Sequence, residues 1–334
     1  MIGRRLRASL RGWGGVGSMV LACALALVFT LSLPLARASR DGSPGLGGQG
    51  LAEATQAKAD DCGGHPERKS PPPSGDESGP KVREIKKRGY LSVGVDQNSY
   101  RWGYRDPNTR GGDLEGFDID LAREIARRII GDPNAVRFHA IPTNQRIPAI
   151  KSGQVDMVVR TMTITCDRLD EVAFSAPYFV TGQQVLAPKA SGITGYDKSL
   201  AGKRICSAEG STANTRLAED KKSGRLAASA DISTTVPNQL DCLVELQLGE
   251  VDAVVTDGAL AASQAAQDPT VELKGKPFTT EYYGVAMNKN AEDLVRRVNQ
   301  VLVDYLGSGW QASYTKWLSP TLGPGSASSR PPAS

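Results

Sequence analysis

The chain has 334 residues, 40% hydrophobic and 23% charged, with a formal net charge of +4. That length can hold two domains of ordinary size, and much of the early arginine excess lies before residue 12, so no nucleic-acid surface is read from it. Histidine occurs only at His65 and His139, which excludes a multi-histidine metal site and argues against Ser-His-Asp chemistry.

Arg4, Arg5, Arg7 and Arg11 form a basic start, Met19 to Leu35 is almost wholly apolar, and Ala36-Arg-Ala38 fits a small-x-small cleavage site. Residues 1–38 therefore read as an export signal. The apolar run approaches membrane-spanning length, so a retained anchor stays open. Val20-Leu-Ala-Cys23 is a poor lipidation motif, because the residues after Cys23 stay hydrophobic. Arg4-Arg5 is a weak twin-arginine pair. Residues 39–81 are rich in Gly, Pro, Ser and Asp, with Pro71-Pro-Pro73 among them. They cannot bury a core and read as a disordered tether. The tail 322–334 has the same character.

Between these ends, strands and helices alternate. Leu91 to Val95 is expected as a strand, and Phe117 to Ile130 as a helix with Phe117, Leu121, Ile125 and Ile129 spaced by four. Val136 to Ile141 alternates like a strand and includes His139, Arg146 to Lys151 is a short helix, and Val155 to Val159 a strand. Val172 to Tyr178 and Gln183 to Ala187 read as extended segments leaving a first lobe. Lys203 to Ser207 is a strand, Thr212 to Lys222 a helix, Ser229 to Thr235 a strand and Asn238 to Leu248 a helix. Val251 to Val255 is a strand, Gly258 to Ala266 a helix, and Tyr282 to Met287 a strand returning to the first lobe. Leu294 to Leu306 is a helix with apolar Leu294, Val298, Val301 and Leu302, and Trp310 to Leu318 a short amphipathic end. Alternation of this kind predicts an α/β chain with mainly parallel sheets.

One pattern occurs twice. Gly153-Gln-Val-Asp-Met-Val-Val159 is echoed by Gly249-Glu-Val-Asp-Ala-Val-Val255. Each copy reads as a helix end stopped by a left-handed Gly, then a short apolar strand. Two similar halves imply two lobes with a cleft between them, and ligands of open α/β sheets bind beyond the carboxyl ends of the strands. The residues there are Arg160-Thr-Met-Thr-Ile-Thr165 and Thr256-Asp257, so the cleft is expected to take a polar ligand. Asp156 and Asp252, though repeated, open strands and are assigned to local turns.

Cys62, Cys166, Cys206 and Cys242 follow the leader. An even number in an exported chain favours two disulfides, with three connectivities open. Cys206 and Cys242 both fall in the second half and are paired, which leaves Cys62 with Cys166. No CxxC spacing points to zinc.

Gly116-Phe-Asp-Ile-Asp-Leu121, Arg146-Ile-Pro-Ala-Ile-Lys-Ser-Gly-Gln-Val-Asp156, Thr163-Ile-Thr-Cys-Asp-Arg168, Phe174-Ser-Ala-Pro-Tyr178 and Leu200-Ala-Gly-Lys203 occur in that order. This set, spanning about 85–320, resembles the polar amino-acid solute-binding proteins of ABC importers. Asp241-Cys-Leu-Val and Ala265-Ala-Gln-Asp-Pro269 bring it closer to actinobacterial glutamate- or glutamine-binding extracytoplasmic proteins. The resemblance implies the type II periplasmic-binding-protein fold, two Rossmann-like lobes joined by a two-segment hinge. Lobe one would be 82–186 with 281–321 and lobe two 187–280, hinged near Val185 and Glu281.

It also implies a site. Arg168, matching the family's arginine, would hold an α-carboxylate through a bidentate guanidinium. Thr163 and Thr161 would add polar contacts from the same loop. Gly210-Ser211-Thr212, ahead of a helix, would offer amides and hydroxyls, with a plain N-cap as the competing use. Asp257 would receive the α-ammonium. Arg146, in Thr143-Asn-Gln-Arg146, would pair a distal carboxylate. Arg101 and Arg160 are further candidates, and Tyr100, Trp102 and Tyr178 would line the cleft. Ala208 departs from relatives with a lysine nearby, and Asp96 leaves the ligand's charge open.

The implied function is extracytoplasmic capture of glutamate, aspartate or glutamine by a monomer that docks on an ABC permease, with no cofactor, metal or nucleic acid. A sensor subunit signalling to a membrane partner is the alternative. An enzyme of the dehydratase kind on this fold is disfavoured, because no isolated Glu-plus-base constellation is found.

Overall fold

The computed structural model describes residues 64–106, 108, 111–325 and 327–331. The export signal, Cys62 and the first part of the expected tether lie outside the described residues.

Lobe one begins with helix α1 (Pro80–Arg88), which has proline in its first turn and a left-handed Gly89 after its end. Strand β1 (Leu91–Val95) follows, then a small three-stranded sheet of β2 (Asn98–Ser99), β3 (Gly103–Arg105) and β4 (Leu114–Glu115). Helix α2 (Phe117–Ile130) buries Phe117, Leu121, Ile125 and Ile129, with acids in its first turn and arginines in its last, which suits its dipole. Each of those buried side chains contributes about 2 kcal/mol of transfer free energy. Strand β5 (Val136–Ala140), helix α3 (Arg146–Lys151), β6 (Met157–Val158), α4 (Cys166–Glu171), β7 (Ala173–Phe174) and β8 (Phe179–Thr181) complete this run.

Lobe two contains β9 (Gln183–Pro188), β10 (Ile205–Ala208), α5 (Thr212–Ser223), β11 (Thr235–Val236), α6 (Gln239–Gln247), β12 (Ala253–Asp257), α7 (Gly258–Ala265) and β13 (Val271–Lys274). The chain returns through β14 (Glu281–Tyr283) and β15 (Ala286–Met287), and ends in α8 (Glu292–Ser308) and α9 (Trp310–Trp317).

The sheets run β5-β1-β6-β15-β7 and β11-β10-β12-β9-β13. These orders match position by position. In each, the fourth strand runs against its neighbours and lies next to a hinge crossing. At that hinge β8 and β14 pair with each other. Lobe one packs Trp102, Phe117, Phe179, Tyr283 and Trp310 into its larger core, with the Trp102 and Phe179 ring centroids 4.9 Å apart, and Ile150, Val158, Ile164 and Phe174 into a smaller one. Lobe two has two smaller cores, one on each face of its sheet. The Cys206–Cys242 disulfide, with Cα atoms 5.6 Å apart, ties β10 to α6 as paired from the sequence. Cys166 is also disulfide-bonded; its expected partner Cys62 lies outside the described residues.

Three segments differ from expectation. Only Met157 and Val158 of 155–159 form a strand. Within 229–235 strand pairing begins at Thr235, preceded by a single bridge between Asp231 and Arg204. The strand expected over 282–287 divides at Gly284, because β14 pairs with β8 whereas β15 pairs with β6. A Cβ at Gly284 would come within 2.9 Å of the Ile164 side chain, which would have to shift to admit it.

The tether reading also fails for residues 64–79. Buried Asn299 on α8 donates to Ser70 Oγ (2.7 Å) and to the Pro71 carbonyl (2.6 Å) and accepts from Ala176 N–H (2.8 Å). Ser74 N–H reaches the Arg296 carbonyl, and Glu77 pairs with Arg297 at 2.9 Å. A proline-rich segment has no ladder of its own, so its polar backbone is satisfied by the helix it crosses. The tail packs on the same lobe: Tyr314 OH donates to the Gly323 carbonyl, and Val180 N–H to that of Ser329.

Candidate functional site

The site is built where the loop after β6 meets the loop after β10. Arg160, wholly buried, donates to Asp96 Oδ2 at 2.9 Å, to Thr143 Oγ1 at 3.0 Å and, across the cleft, to Asn238 Oδ1 at 3.0 Å. Asp96 also accepts from the Gln97 and Asn98 amides and the Ser99 hydroxyl. This aspartate is thereby neutralised within the protein.

Thr161 takes φ +40°, a left-handed conformation that costs a β-branched residue of order 1–3 kcal/mol. Its amide donates to Asp118 Oδ2 at 3.0 Å, while Tyr178 OH donates to Asp118 Oδ1 at 2.9 Å. Burial pushes the Asp118 carboxyl up to about 7, against the pull of those two donors.

Arg146 sits under this loop, buried, with Nε on the Thr143 carbonyl at 2.9 Å. Its Nη1 reaches the Arg160 carbonyl at 3.3 Å, and its Nη2 reaches Gly210 O of lobe two at the same distance. Burial, then the charges of Arg168 and Arg160, hold its pKa well below the ordinary value. Arg168, in the first turn of α4, donates to the Thr163 carbonyl at 2.7 Å and to Gly210 O at 3.0 Å. Two guanidinium groups thus converge on one carbonyl. Gly210 has φ +73°, and a Cβ on it would lie 2.9 Å from Asn144 Cα, so only glycine lets the lobes come this near. Immediately after it, Ser211 Oγ accepts from Asn214 N–H at 3.1 Å, which is its N-cap duty.

Asp257 ends β12, buried, and accepts a short hydrogen bond from Tyr283 OH. Burial first, then the charge of Glu281, pushes its carboxyl up to about 7, while Arg168 and Arg146 pull the other way. Beside Arg168 opens a cavity of about 370 Å³ bounded by Gln183, Gly210, Thr212, Arg216 and Glu281.

The structure therefore brings Arg168, Arg146, Thr161, Thr163, Thr212 and Asp257 to one interface between the lobes. It leaves four of the expected residues elsewhere. Arg101, at φ +68°, turns its guanidinium to the Trp317 carbonyl at 3.1 Å. Tyr100 lines a separate cavity with Tyr104, Arg105 and Leu240. Tyr178 and Trp102 are fully buried and present no surface to the cavity. Asp118, Gln183 and Glu281 were missed. Asp118 sits in the Gly116-Phe-Asp motif and could have been flagged; the other two had no local signal. Among the described residues, no group of three or more His, Cys, Asp or Glu could hold a metal, and no helix is long and apolar enough to cross a membrane.

The pattern of the bacterial extracellular solute-binding proteins, family 3, matches residues 91–320. The ABC transporter glutamine-binding protein GlnH of Bacillus subtilis (strain 168) is 33% identical over 235 residues, 70% of this chain and 83% of that protein. The glutamate-binding protein GluB of Corynebacterium efficiens is 27% identical over 249 residues, 70% of this chain and 79% of its own. Among solved structures, the solute receptor for L-cysteine of Neisseria gonorrhoeae superposes with a TM-score of 0.69 at 25% identity, covering 75% of this chain and 99% of that one. The two-lobed, type II periplasmic-binding-protein architecture expected from the motifs is the one found.

Proposed function

This chain belongs to the bacterial extracellular solute-binding proteins of family 3, and on that premise we propose that it captures a polar amino acid between its lobes and presents it to an ABC-type membrane permease. The observation that carries this reading is the convergence of Arg146 and Arg168 on Gly210 O, at 3.3 and 3.0 Å. A carbonyl carries only a partial charge. A ligand carboxylate entering there would replace that partial charge with a full negative charge facing two guanidinium groups. Asp257 lies close enough to feel both arginines, so an α-ammonium would be held on the opposite side of the same ligand.

Lobe-two contacts come from the head of α5 and the end of β12, and those from lobe one come from the Arg160–Arg168 stretch. A ligand that touches both gains its full set only when the lobes meet, so binding favours closure about the β8–β14 pair. Glutamine- and glutamate-binding relatives support glutamine or glutamate as the ligand, and aspartate shares the same carboxylate and ammonium groups.

The test is calorimetric titration of purified protein, first unfolded and refolded to strip carried-over ligand, with glutamate, aspartate, glutamine and asparagine. Micromolar or tighter binding of at least one is expected. A preference for the acids would mean that the two guanidinium groups part on binding, Arg168 keeping the α-carboxylate and Arg146 taking the distal one. Binding of none of the four would overturn the reading for polar amino acids.

A further inference from the structure

Beneath Arg168 the hinge brings three buried polar side chains into a row. Gln183 on β9 is the cross-strand neighbour of Asp257 on β12. Its Nε2 donates to Glu281 Oε1 on β14 at 3.0 Å, and Thr279 Oγ1 donates to the same oxygen at 3.1 Å. The other two oxygens, Glu281 Oε2 and Gln183 Oε1, are buried and accept no hydrogen bond from the protein. Glu281 is only 5% exposed and Gln183 only 1%. Both residues border the cavity beside Arg168.

A buried carboxylate oxygen with no donor is costly, and a second unpaired acceptor beside it compounds the cost. A single neutral donor satisfies a lone pair but leaves the charge. A positive group of small radius satisfies both. One carboxylate and one amide oxygen make too weak a field for a divalent ion, which gathers several anionic oxygens, but they suit a monovalent one.

We infer that Glu281 Oε2 and Gln183 Oε1 form a seat for a monovalent cation of ammonium size, next to the carboxylate-binding arginine and beside Asp257. The occupant is either the ammonium of the captured amino acid, whose three N–H groups Asp257 and the seat would then share, or a free cation such as potassium or ammonium. Because Gln183 and Glu281 come from the two chain crossings, an occupied seat ties them together. The inference rests on the amino-acid reading above, and its test separates the two.

The full chain is titrated with its tightest-binding amino acid at constant ionic strength, in potassium, ammonium or N-methylglucamine chloride, as wild type and as Glu281→Gln. If a free cation fills the seat, wild-type affinity drops at least tenfold in N-methylglucamine, and Glu281→Gln loses that dependence. If the ligand's ammonium fills it, the cation has no effect. Glu281→Gln then weakens the amino acid at least tenfold but leaves its deaminated analogue (glutarate for glutamate) within twofold. Gln183→Met, which at similar volume removes the amide oxygen together with the amide N–H that Glu281 Oε1 accepts, shows the same pattern in smaller degree and serves if Glu281→Gln does not fold. An affinity indifferent to the cation, with both variants within twofold of wild type, would mean that water alone occupies the seat and overturns it. If wild type binds no amino acid in any salt, the proposed function falls. The melting temperature in potassium against N-methylglucamine then decides the seat, an unchanged value overturning it.

Discussion

Asp156 in lobe one and Asp252 in lobe two make the same joint. Asp156 N–H donates to the Ser92 carbonyl at 2.9 Å while its Oδ2 accepts from Ser92 N–H at 2.8 Å. Asp252 N–H donates to the Arg204 carbonyl at 2.8 Å while its Oδ2 accepts from Arg204 N–H, again at 2.8 Å. Each aspartate also takes a guanidinium, from Arg88 and from Arg204 respectively. The repeated Gly-x-Val-Asp motif thus locks the start of one parallel strand to its neighbour, at the sheet end away from the cleft.

Asp156→Ala should therefore cost about 2–3 kcal/mol of stability, since it strands a buried amide and leaves Arg88 and Lys81 without their shared partner. Asp252→Ala should cost less, because Arg204 and Asp252 are more exposed and screened. Ligand affinity should stay within twofold in both. Denaturant melts beside calorimetric titration would check it; a tenfold loss of affinity in either variant would contradict this placement.

Arg168→Ala should weaken amino-acid binding several hundredfold, about 3–4 kcal/mol. Arg168→Lys should recover only part of that, since an ammonium cannot reproduce the planar fork that now reaches the Thr163 and Gly210 carbonyls. Dissociation constants of both variants against wild type decide it.

The pH dependence of stability and of binding should run in opposite directions. The Asp257 carboxyl, ordinarily at 3.8, is pushed up to about 7 in the folded protein. Between those values the folded chain holds a proton that the unfolded chain releases. The stability this group contributes is thus fully present below pH 4 and is lost as pH rises towards 7. Asp118, also raised to about 7, adds a loss of the same sign. An ammonium ligand favours the carboxylate, so affinity should weaken as pH falls below about 7. Asp257→Asn should bind more weakly and with a flatter pH profile. Melts and titrations from pH 5 to 8 would show both slopes; an unchanged affinity profile in Asp257→Asn would assign the proton elsewhere.

Replacing Cys206 and Cys242 by serine should destabilise the protein by about 2–4 kcal/mol. The bridge closes a loop of 36 residues, whose freedom in the unfolded chain it restricts. The melting temperature in the presence and absence of reductant tests this, with the double variant showing a smaller reductant shift, since it keeps only the bridge at Cys166.

Helices were the legible part of the sequence. The observed bounds of α2 are those read from apolar spacing, because amphipathicity and a following glycine are local properties. The short strands were not legible at their ends: Met157–Val158 counts as a strand only where β1 and β15 supply partners. The site divides in the same way. Arg168 and Asp257 stand just past motif elements and could be found. Arg101 could not be excluded, since its partner is the carbonyl of Trp317, 216 residues away. Glu281 and Gln183 meet across 98 residues, through a hinge pairing that leaves no trace in either segment.

The proline-rich segment and the C-terminal tail both lie against lobe one, so the described chain enters and leaves through the same half of the molecule. Lobe two is an excursion from it, joined covalently through the two crossings. In any assembly that grips this protein by either end, lobe one is the stator and lobe two the jaw. A dye or tag near Ser70 or Ser329 would sit still relative to the grip, and jaw motion would become visible only against a second probe placed between residues 190 and 275.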